Sequence, residues 1–289
     1  MRLNKIVFPV AGLGSRFFPA TKSTPKEMLP VVDKPLIQYA VEEALEAGFT
    51  ELIFVTSKSK TSIRDHFDSK LNTNLSNVTK EKKELLNKMN KIIPDGILCK
   101  YVFQEEPLGL GHAILQAKPI INDEPFAVIL ADDLIDAKTG VLRQMVDLYR
   151  DTKSSIISVH KIDKAYSAQY GIASITDKSQ KIMKLTDIVE KPQPEEAPSN
   201  LGVVGRYIFC NEILQSLENI SFGTGNEIQL TDGIKLMIST SSVYAYEFEG
   251  IRYDCGDKLG FIKANIEYAL RNKIFGNELE SYLKSRLKK

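Results

Sequence analysis

The chain has 289 residues, 43% hydrophobic and 26% charged, with a formal net charge of +1 and three widely spaced cysteines. That composition is ordinary for a soluble globular protein and argues against a polyanion-binding surface, a zinc site or a disulfide framework. The longest apolar run, Phe126 to Ala131, is far too short to span a bilayer, and Met1 to Lys5 leads straight into an apolar strand, so a cytoplasmic protein without membrane or nucleic-acid partners is expected.

Strand-length apolar runs alternate with helix-like segments along the first half. Residues 6–10 read as a buried strand. Apolar positions 36, 37, 40, 41, 44 and 45 predict a helix over 36–48 that Gly48 stops. Strands are expected over 51–56, 99–103 and 126–130, with helices over 61–67 and 111–118. This βαβ alternation predicts an α/β fold: a Rossmann-like, mostly parallel sheet flanked by helices. All-apolar runs such as Ala127 to Leu130 fit strands buried on both sides. Residues 72–94 differ: a lysine- and glutamate-rich run precedes Leu85, Leu86, Met89, Ile92 and Ile93 at amphipathic-helix spacing. No aromatics interleave those lysines, which argues against nucleic-acid binding there. From about Ser154 strands prevail, over 154–160, 172–175, 182–188 and 203–209, and Pro192, Pro194 and Pro198 mark a loop. Helices return over 259–271 and 278–287. In the last, Leu279, Tyr282, Leu283 and Leu287 share a face, which either docks on its own subunit or forms a subunit interface.

The stretch from Val10 to Pro35, VAGLGSRFFPATKSTPKEMLPVVDKP, carries the most information. Gly12 and Gly14 let the backbone approach a phosphate, and Arg16 and Lys26 supply the positive charge a triphosphate needs. The dinucleotide fingerprint fails, because Phe17 stands where its third glycine belongs, and the P-loop fails because Arg16 is out of register. The two glycines alone fit a tight strand-to-helix turn without a ligand equally well.

The longer string is more specific. AGLGSR followed by PKEMLPVVDKPLIQY resembles the signature of the sugar-nucleotide pyrophosphorylases, nucleotidyltransferases that join an NTP to a sugar 1-phosphate. The resemblance continues in order through EEPLGLGHAIL, VILADDLI, YGIA, IVEKP, PSNLGVVGRYI, GNEIQLTD and YDCGDKLG, nearly the whole chain. The PKEMLP form is most similar to members that use UTP and glucose 1-phosphate. The resemblance implies a glycosyltransferase-A-like fold, Mg²⁺ as cofactor and a homo-oligomer, dimer or tetramer. It further implies one nucleotidyltransferase domain over 1–289, with a mainly nucleotide-binding half at 1–150, a mainly sugar-binding half at 151–258 and C-terminal helices at 259–289.

In the implied reaction a sugar phosphate oxygen attacks the α-phosphorus of UTP and pyrophosphate leaves. The attacking phosphate is largely a dianion at neutral pH, its second pKa being about 6, so no general base is required. His66, His112 and His160 accordingly lie in unrelated motifs. Alignment and neutralisation of crowded negative charge carry such a reaction. Asp132 and Asp133 follow the carboxyl end of a strand, where ligands bind in doubly wound folds, and extended neighbours point to opposite faces, so only one of the two can face a metal; taken alone, the pair fits a solvated turn better. The resemblance places the metal on Asp132 and Asp254, with Asp133 as a supporting or capping group. Asp257 and Asp232 are weaker alternatives, and Asp232 instead suits a helix cap. Lys26 is read as the principal triphosphate cation and Arg16 as the partner of the departing phosphates, with Glu27 and Gly14 in the same nucleotide site. Gln104 offers a donor and an acceptor, which suits the uracil edge. The resemblance adds Gly109, Ala11 and Gly12 around the base, Glu190 on the sugar hydroxyls, Lys191 on the sugar phosphate and Gly171 beside the glucose.

Ser15 stands where threonine is common in this family, Asp257 where asparagine is, and Phe17-Phe18 in place of smaller or more flexible apolar residues, expected to pack. None of these removes a proposed catalytic group. One rival reading is the same transfer from dTTP, which a single methyl separates from UTP by only about 1–3 kcal/mol. Another is a non-catalytic sensor of sugar nucleotides, against which Arg16, Lys26, Asp132, Lys191 and Asp254 all speak.

Overall fold

The computed structural model describes residues 2–68, 79–81, 84, 92–176 and 181–287; most of the amphipathic segment expected over 72–94 lies outside them. In chain order, β1 (Lys5–Pro9) leads through three single 3₁₀ turns to a small hairpin, β2 (Pro30–Val31) and β3 (Lys34–Pro35). Then come α1 (Leu36–Ala47), β4 (Glu51–Thr56), α2 (Thr61–Asp68), β5 (Leu98–Phe103), α3 (Leu110–Gln116), α4 (Lys118–Ile121), β6 (Phe126–Ile129), β7 (Asp133–Asp136) and α5 (Val141–Thr152). The second half comprises β8 (Ser155–Lys161), β9 (Gly171–Ile175), β10 (Ile182–Glu190), β11 (Leu201–Phe209), α6 (Glu212–Asn219), α7 (Leu230–Ile238), β12 (Val243–Glu247), β13 (Ile251–Asp254), α8 (Lys258–Leu270) and α9 (Gly276–Leu287).

One nine-stranded sheet, in the order β5-β4-β1-β6-β11-β8-β12-β10-β9, runs through both halves. The neighbours β5, β4, β1 and β6 are parallel, joined by helical crossovers as the α/β pattern requires. Beyond β6 the sheet is mixed: β11 enters antiparallel to β6 and β8, β12 is parallel to β8, and β10 is antiparallel to β12 and β9. The parallel character of the first half therefore does not extend to the second. Strand direction is invisible in a run such as Leu201–Phe209, buried along its whole length.

Period-two alternation divides the core between the two faces of the sheet. Val7 packs on one side with Ile114, Phe209, Leu217 and Ile234. Ile6 and Phe8 face the other, with Val41 of α1 and Met145 and Tyr149 of α5. A third, smaller cluster of Leu36, Leu134, Tyr253 and Ala264 seats α8 over the antiparallel pair β7–β13. Phe17 packs edge-on against Phe261, while Phe18 stays exposed, contrary to the expectation that both would pack. On α9, Leu279 and Leu283 are half-buried, whereas Tyr282 and Leu287 are exposed, as is Ile274 before it at 93%. No helix among the described residues is long and apolar enough to cross a membrane.

One polar contact is sealed between these layers. Arg206 of β11, 2% exposed, donates to both carboxylate oxygens of Glu43 on α1, at 3.3 and 2.6 Å, and to the carbonyl of Asp133. Glu43 also accepts from Leu142 N at 3.0 Å, pinning the start of α5. Removing one partner of such a pair leaves a buried charge uncompensated. Glu43→Ala is expected to lower unfolding free energy by about 3–5 kcal/mol, read as a lower urea midpoint.

Candidate active site

The turn after β1 is built around Gly14. Its φ of 66° lies in the left-handed region, and a Cβ there would sit 3.1 Å from Lys26 Cβ. Thr21 Oγ1 donates to Gly14 O at 2.7 Å, so the loop folds back with Lys26 laid across the glycine. Behind the loop, Lys60 donates to Val10 O at 2.7 Å, Gly12 O at 2.6 Å and Glu27 Oε2 at 2.9 Å, using all three of its donors. Burial lowers the Lys60 ammonium below its ordinary pKa, and Glu27 offsets this only in part. Burial likewise raises the Glu27 carboxyl against the pull of Lys60 and Lys26. Glu27 is 2% exposed, and its Oε1 has no hydrogen-bond partner among the described residues.

Adjacent carboxylates at the end of β6 are turned to different tasks. Asp132 Oδ2 meets Lys26 Nζ at 2.5 Å. Asp133 is buried, accepting from Gly205 N at 2.9 Å and from Arg252 Nε at 2.5 Å. The β7–β13 pairing sets Asp254 opposite Asp133, and Arg252 reaches Asp254 Oδ2 at 3.2 Å. Gly256 leaves a gap between two of these acids: a Cβ there would lie 3.0 Å from Asp132 Oδ2, 3.1 Å from Asp254 Oδ1 and 3.6 Å from Arg16 Nη1. Burial raises the Asp254 carboxyl; Arg252 opposes this, and Asp133 and Asp132 add to it. For Asp132 burial acts upward too, but Lys26 outweighs it and holds the carboxyl below its ordinary value. Lys26 is correspondingly held above its ordinary value, Asp132 and Glu27 overcoming burial. Two carboxylates bordering one gap, with one of them undercompensated, are a donor set that fits a hard divalent cation.

Glu190 ends β10 opposite Gly171 of β9. Strand alternation alone would aim Glu190 and Lys191 apart. Lys191 instead adopts a left-handed φ of 45°, its N–H donates to Tyr170 O at 2.9 Å, and its Nζ returns to Glu190 Oε1 at 3.1 Å. Thr231 Oγ1 donates to Glu190 Oε2 at 2.8 Å, and Arg252 Nη1 to the Tyr170 hydroxyl at 2.8 Å.

The candidate residues thus gather on two adjoining cavities. Ala11, Gly12, Gly14, Lys26, Glu27, Gln104 and Gly109 line the larger, of about 480 Å³. Arg16, Gly171, Glu190, Lys191 and Asp254 line the other, of about 230 Å³. Asp132 lines both. The weaker metal alternatives are placed elsewhere: Asp257 caps α8 by accepting from Leu259 N and Gly260 N at 2.8 and 3.1 Å. Asp232 sits inside the first turn of α7, where Gln229 holds the capping position, so the expected cap is not formed. Sequence reasoning missed Lys60, Arg252 and Thr231. Arg252 stands two residues before Asp254, and strand alternation could have placed both on one face. Lys60, in a run of lysine and serine, carries no comparable signal.

The fold and the paired cavities are those of a nucleotidyl transferase. The family description "Nucleotidyl transferase" matches residues 7–270, and the chain belongs to that family. It is 47% identical over 292 residues to the UTP–glucose-1-phosphate uridylyltransferase of Bacillus subtilis, covering 100% of this chain and 98% of that one. A crystal structure of UDP-glucose pyrophosphorylase complexed with UDP-glucose matches with a TM-score of 0.86 at 42% identity, over 94% of this chain and 100% of that one. The UTP-bound enzyme from Acinetobacter baumannii matches with a TM-score of 0.88 at 41% identity, over 98% and 99%.

The loop geometry has a direct consequence for stability. Gly14→Ala forces an L side chain into the left-handed region and against Lys26 Cβ. It is expected to lower unfolding free energy by at least roughly 1–2 kcal/mol, measured by urea denaturation.

Proposed function

We propose that this protein transfers the uridylyl group of UTP to glucose 1-phosphate, forming UDP-glucose and pyrophosphate. The observation that carries this reading is Asp132, the only charged residue among those described that lines both cavities. The identity of near-full-length relatives supports it. In this reading the triphosphate lies over Gly12, Gly14 and Lys26, and Gln104, Ala11 and Gly109 enclose the base. The buried Oε1 of Glu27, without a hydrogen-bond partner among the described residues, suits a hydroxyl donor of the nucleotide. Glucose 1-phosphate occupies the second cavity, its hydroxyls on Glu190, its phosphate on Lys191, with Gly171 beside the ring.

A phosphate oxygen of the sugar forms a bond to the α-phosphorus while that phosphorus releases its bridging oxygen, and pyrophosphate departs with the electron pair. The nucleophile is already an anion, so the site needs alignment and charge rather than a base. Lys26 meets the triphosphate and Arg16 the departing phosphates. We take Mg²⁺ as the ion that Asp132 and Asp254 hold; when bound it supplies neutralisation of the triphosphate charge. The three unpaired cysteines fit the reducing cytoplasm we propose as its location. The exposed apolar residues Ile274, Tyr282 and Leu287 around α9 support a homo-oligomer.

Three measurements test this reading. Purified protein with Mg²⁺ and glucose 1-phosphate should release pyrophosphate with UTP well above dTTP. Lys26→Ala and Asp132→Ala, both folded, should each lose about 10²–10³ in kcat, the usual loss for a transition-state charge stabiliser. Wild-type turnover in either variant removes that residue from the mechanism. By light scattering the wild type should be at least a dimer and Ile274→Asp with Leu287→Asp a monomer; a monomeric wild type overturns the oligomer.

A further inference from the structure

Gln104 follows β5 and is 5% exposed, with its N–H held by Thr56 O at 2.8 Å. Its side-chain amide is not free to choose its polarity. The nitrogen lies 3.3 Å from Gly109 O and 2.8 Å from His112 Nδ1. A backbone carbonyl can only accept, so the amide nitrogen must face Gly109. The second hydrogen of that nitrogen then goes to His112 Nδ1, which must be the unprotonated nitrogen of the ring. The imidazole proton therefore sits on Nε2, and the Gln116 amide, whose nitrogen is 3.0 Å from Nε2, turns its oxygen there to pair. Both amide hydrogens of Gln104 are thereby engaged within the protein. Its Oε1 makes no hydrogen bond among the described residues, and it is not a sealed atom. Gln104 lines the larger of the two cavities and not the smaller.

We propose that His112 is a positioning residue that fixes Gln104 as a pure hydrogen-bond acceptor toward the base, and so selects pyrimidines with an N3–H over those with a bare N3. The inference rests on the uridylyl-transfer reading above and adds its basis for refusing CTP. Uracil presents N3–H between two carbonyls. Cytosine presents an unprotonated N3 beside an amino group, and its N3 lone pair would confront Gln104 Oε1. A freely rotating glutamine could serve either base by flipping. His112 removes that freedom without touching the nucleotide, which is a use for the residue that base-free chemistry at phosphorus did not suggest.

The test compares pyrophosphate release from UTP and CTP, each with glucose 1-phosphate, in the wild type, His112→Leu and His112→Asn. The wild type should favour UTP by roughly a thousandfold or more, since a buried unmatched polar group discriminates strongly. His112→Leu removes the acceptor, and the UTP-to-CTP ratio of kcat/KM should fall at least about tenfold. His112→Asn keeps an acceptor near the Nδ1 position and should recover most of the ratio. Merely structural damage would lower both substrates together and leave the ratio unchanged, which overturns the proposal. An equal loss of ratio in His112→Asn and His112→Leu also overturns it. If the wild type turns over neither nucleotide, the uridylyl-transfer reading itself fails, and this inference with it. Long-range ¹⁵N–¹H spectra of the wild type, above the imidazole titration range, give an answer that needs no leucine variant. They should show His112 protonated at Nε2, with the signal assigned by its loss in His112→Asn; protonation at Nδ1 refutes the proposal.

Discussion

Asp132, Asp133 and Asp254 converge where β6 ends and β7 meets β13, and the rest of the site is organised around that concentration of negative charge. Like charges this close and this dry cannot all remain ionised without cations beside them. Lys26 stands against Asp132, while Arg252 is shared between Asp133 and Asp254. The shifts run in opposite directions: burial pushes both carboxyls up, but Lys26 outweighs it at Asp132, which is held low, while at Asp254 burial, with Asp133 and Asp132 adding to it, outweighs the shared Arg252. The shortfall of positive charge therefore lies at Asp254, on the gap that Gly256 leaves open.

That charge cluster is anchored from beneath. Arg206 holds the Asp133 carbonyl, and Glu43 holds Arg206, so α1, β7 and β11 are locked at the base of the site. Lys60 performs a similar service for the nucleotide loop, gathering the carbonyls of Val10 and Gly12 with Glu27 onto one ammonium. The carbonyls of Val10 and Gly12 are thus tied back onto Lys60, which holds the loop from behind. Such preorganisation is what electrostatic catalysis requires, because donors that need not reorient lose nothing when charge moves.

Much of this was legible in the sequence. Apolar periodicity located the first parallel strands and α1 with its Gly48 stop, because burial on both faces and helical spacing leave a local signature. Gly12, Gly14 and the Asp132-Asp133 pair could be singled out for a similar reason, since glycines at a tight turn and acids at a strand end are local features, whereas Asp254, Gly109, Gly171, Glu190 and Lys191 rested on the resemblance. What was illegible depends on partners far along the chain. The direction of β11 is set by pairing with β6 and β8. The meeting of Glu190 with Lys191 depends on one left-handed residue after a strand, a conformation that a lysine does not advertise. Lys60 and Arg252 act across large sequence separations, and His112 was set aside because the chemistry at phosphorus needs no base. Its partner is Gln104, a contact that only the folded chain brings about.

The cations of the site divide by how fully their donors are occupied. Lys60 has each of its hydrogens on a protein acceptor, and Arg252 is engaged by Asp133, Asp254 and Tyr170. Both are committed to the protein and can give a phosphate little. Lys26 Nζ meets Asp132, Lys191 Nζ meets Glu190, and Arg16 makes one long contact to Gly256 O at 3.5 Å. These three keep more donors in reserve, and they line the cavities, as Arg252 also does in the smaller one. In the proposed reaction a phosphate would therefore take its hydrogen bonds chiefly from Lys26, Arg16 or Lys191, while Lys60, fully engaged, and Arg252, with all but one of its donors engaged, hold the framework. Positive charge alone would not separate the two groups; the number of unused donors does, three hydrogens on Lys60 and four on Arg252 being already engaged.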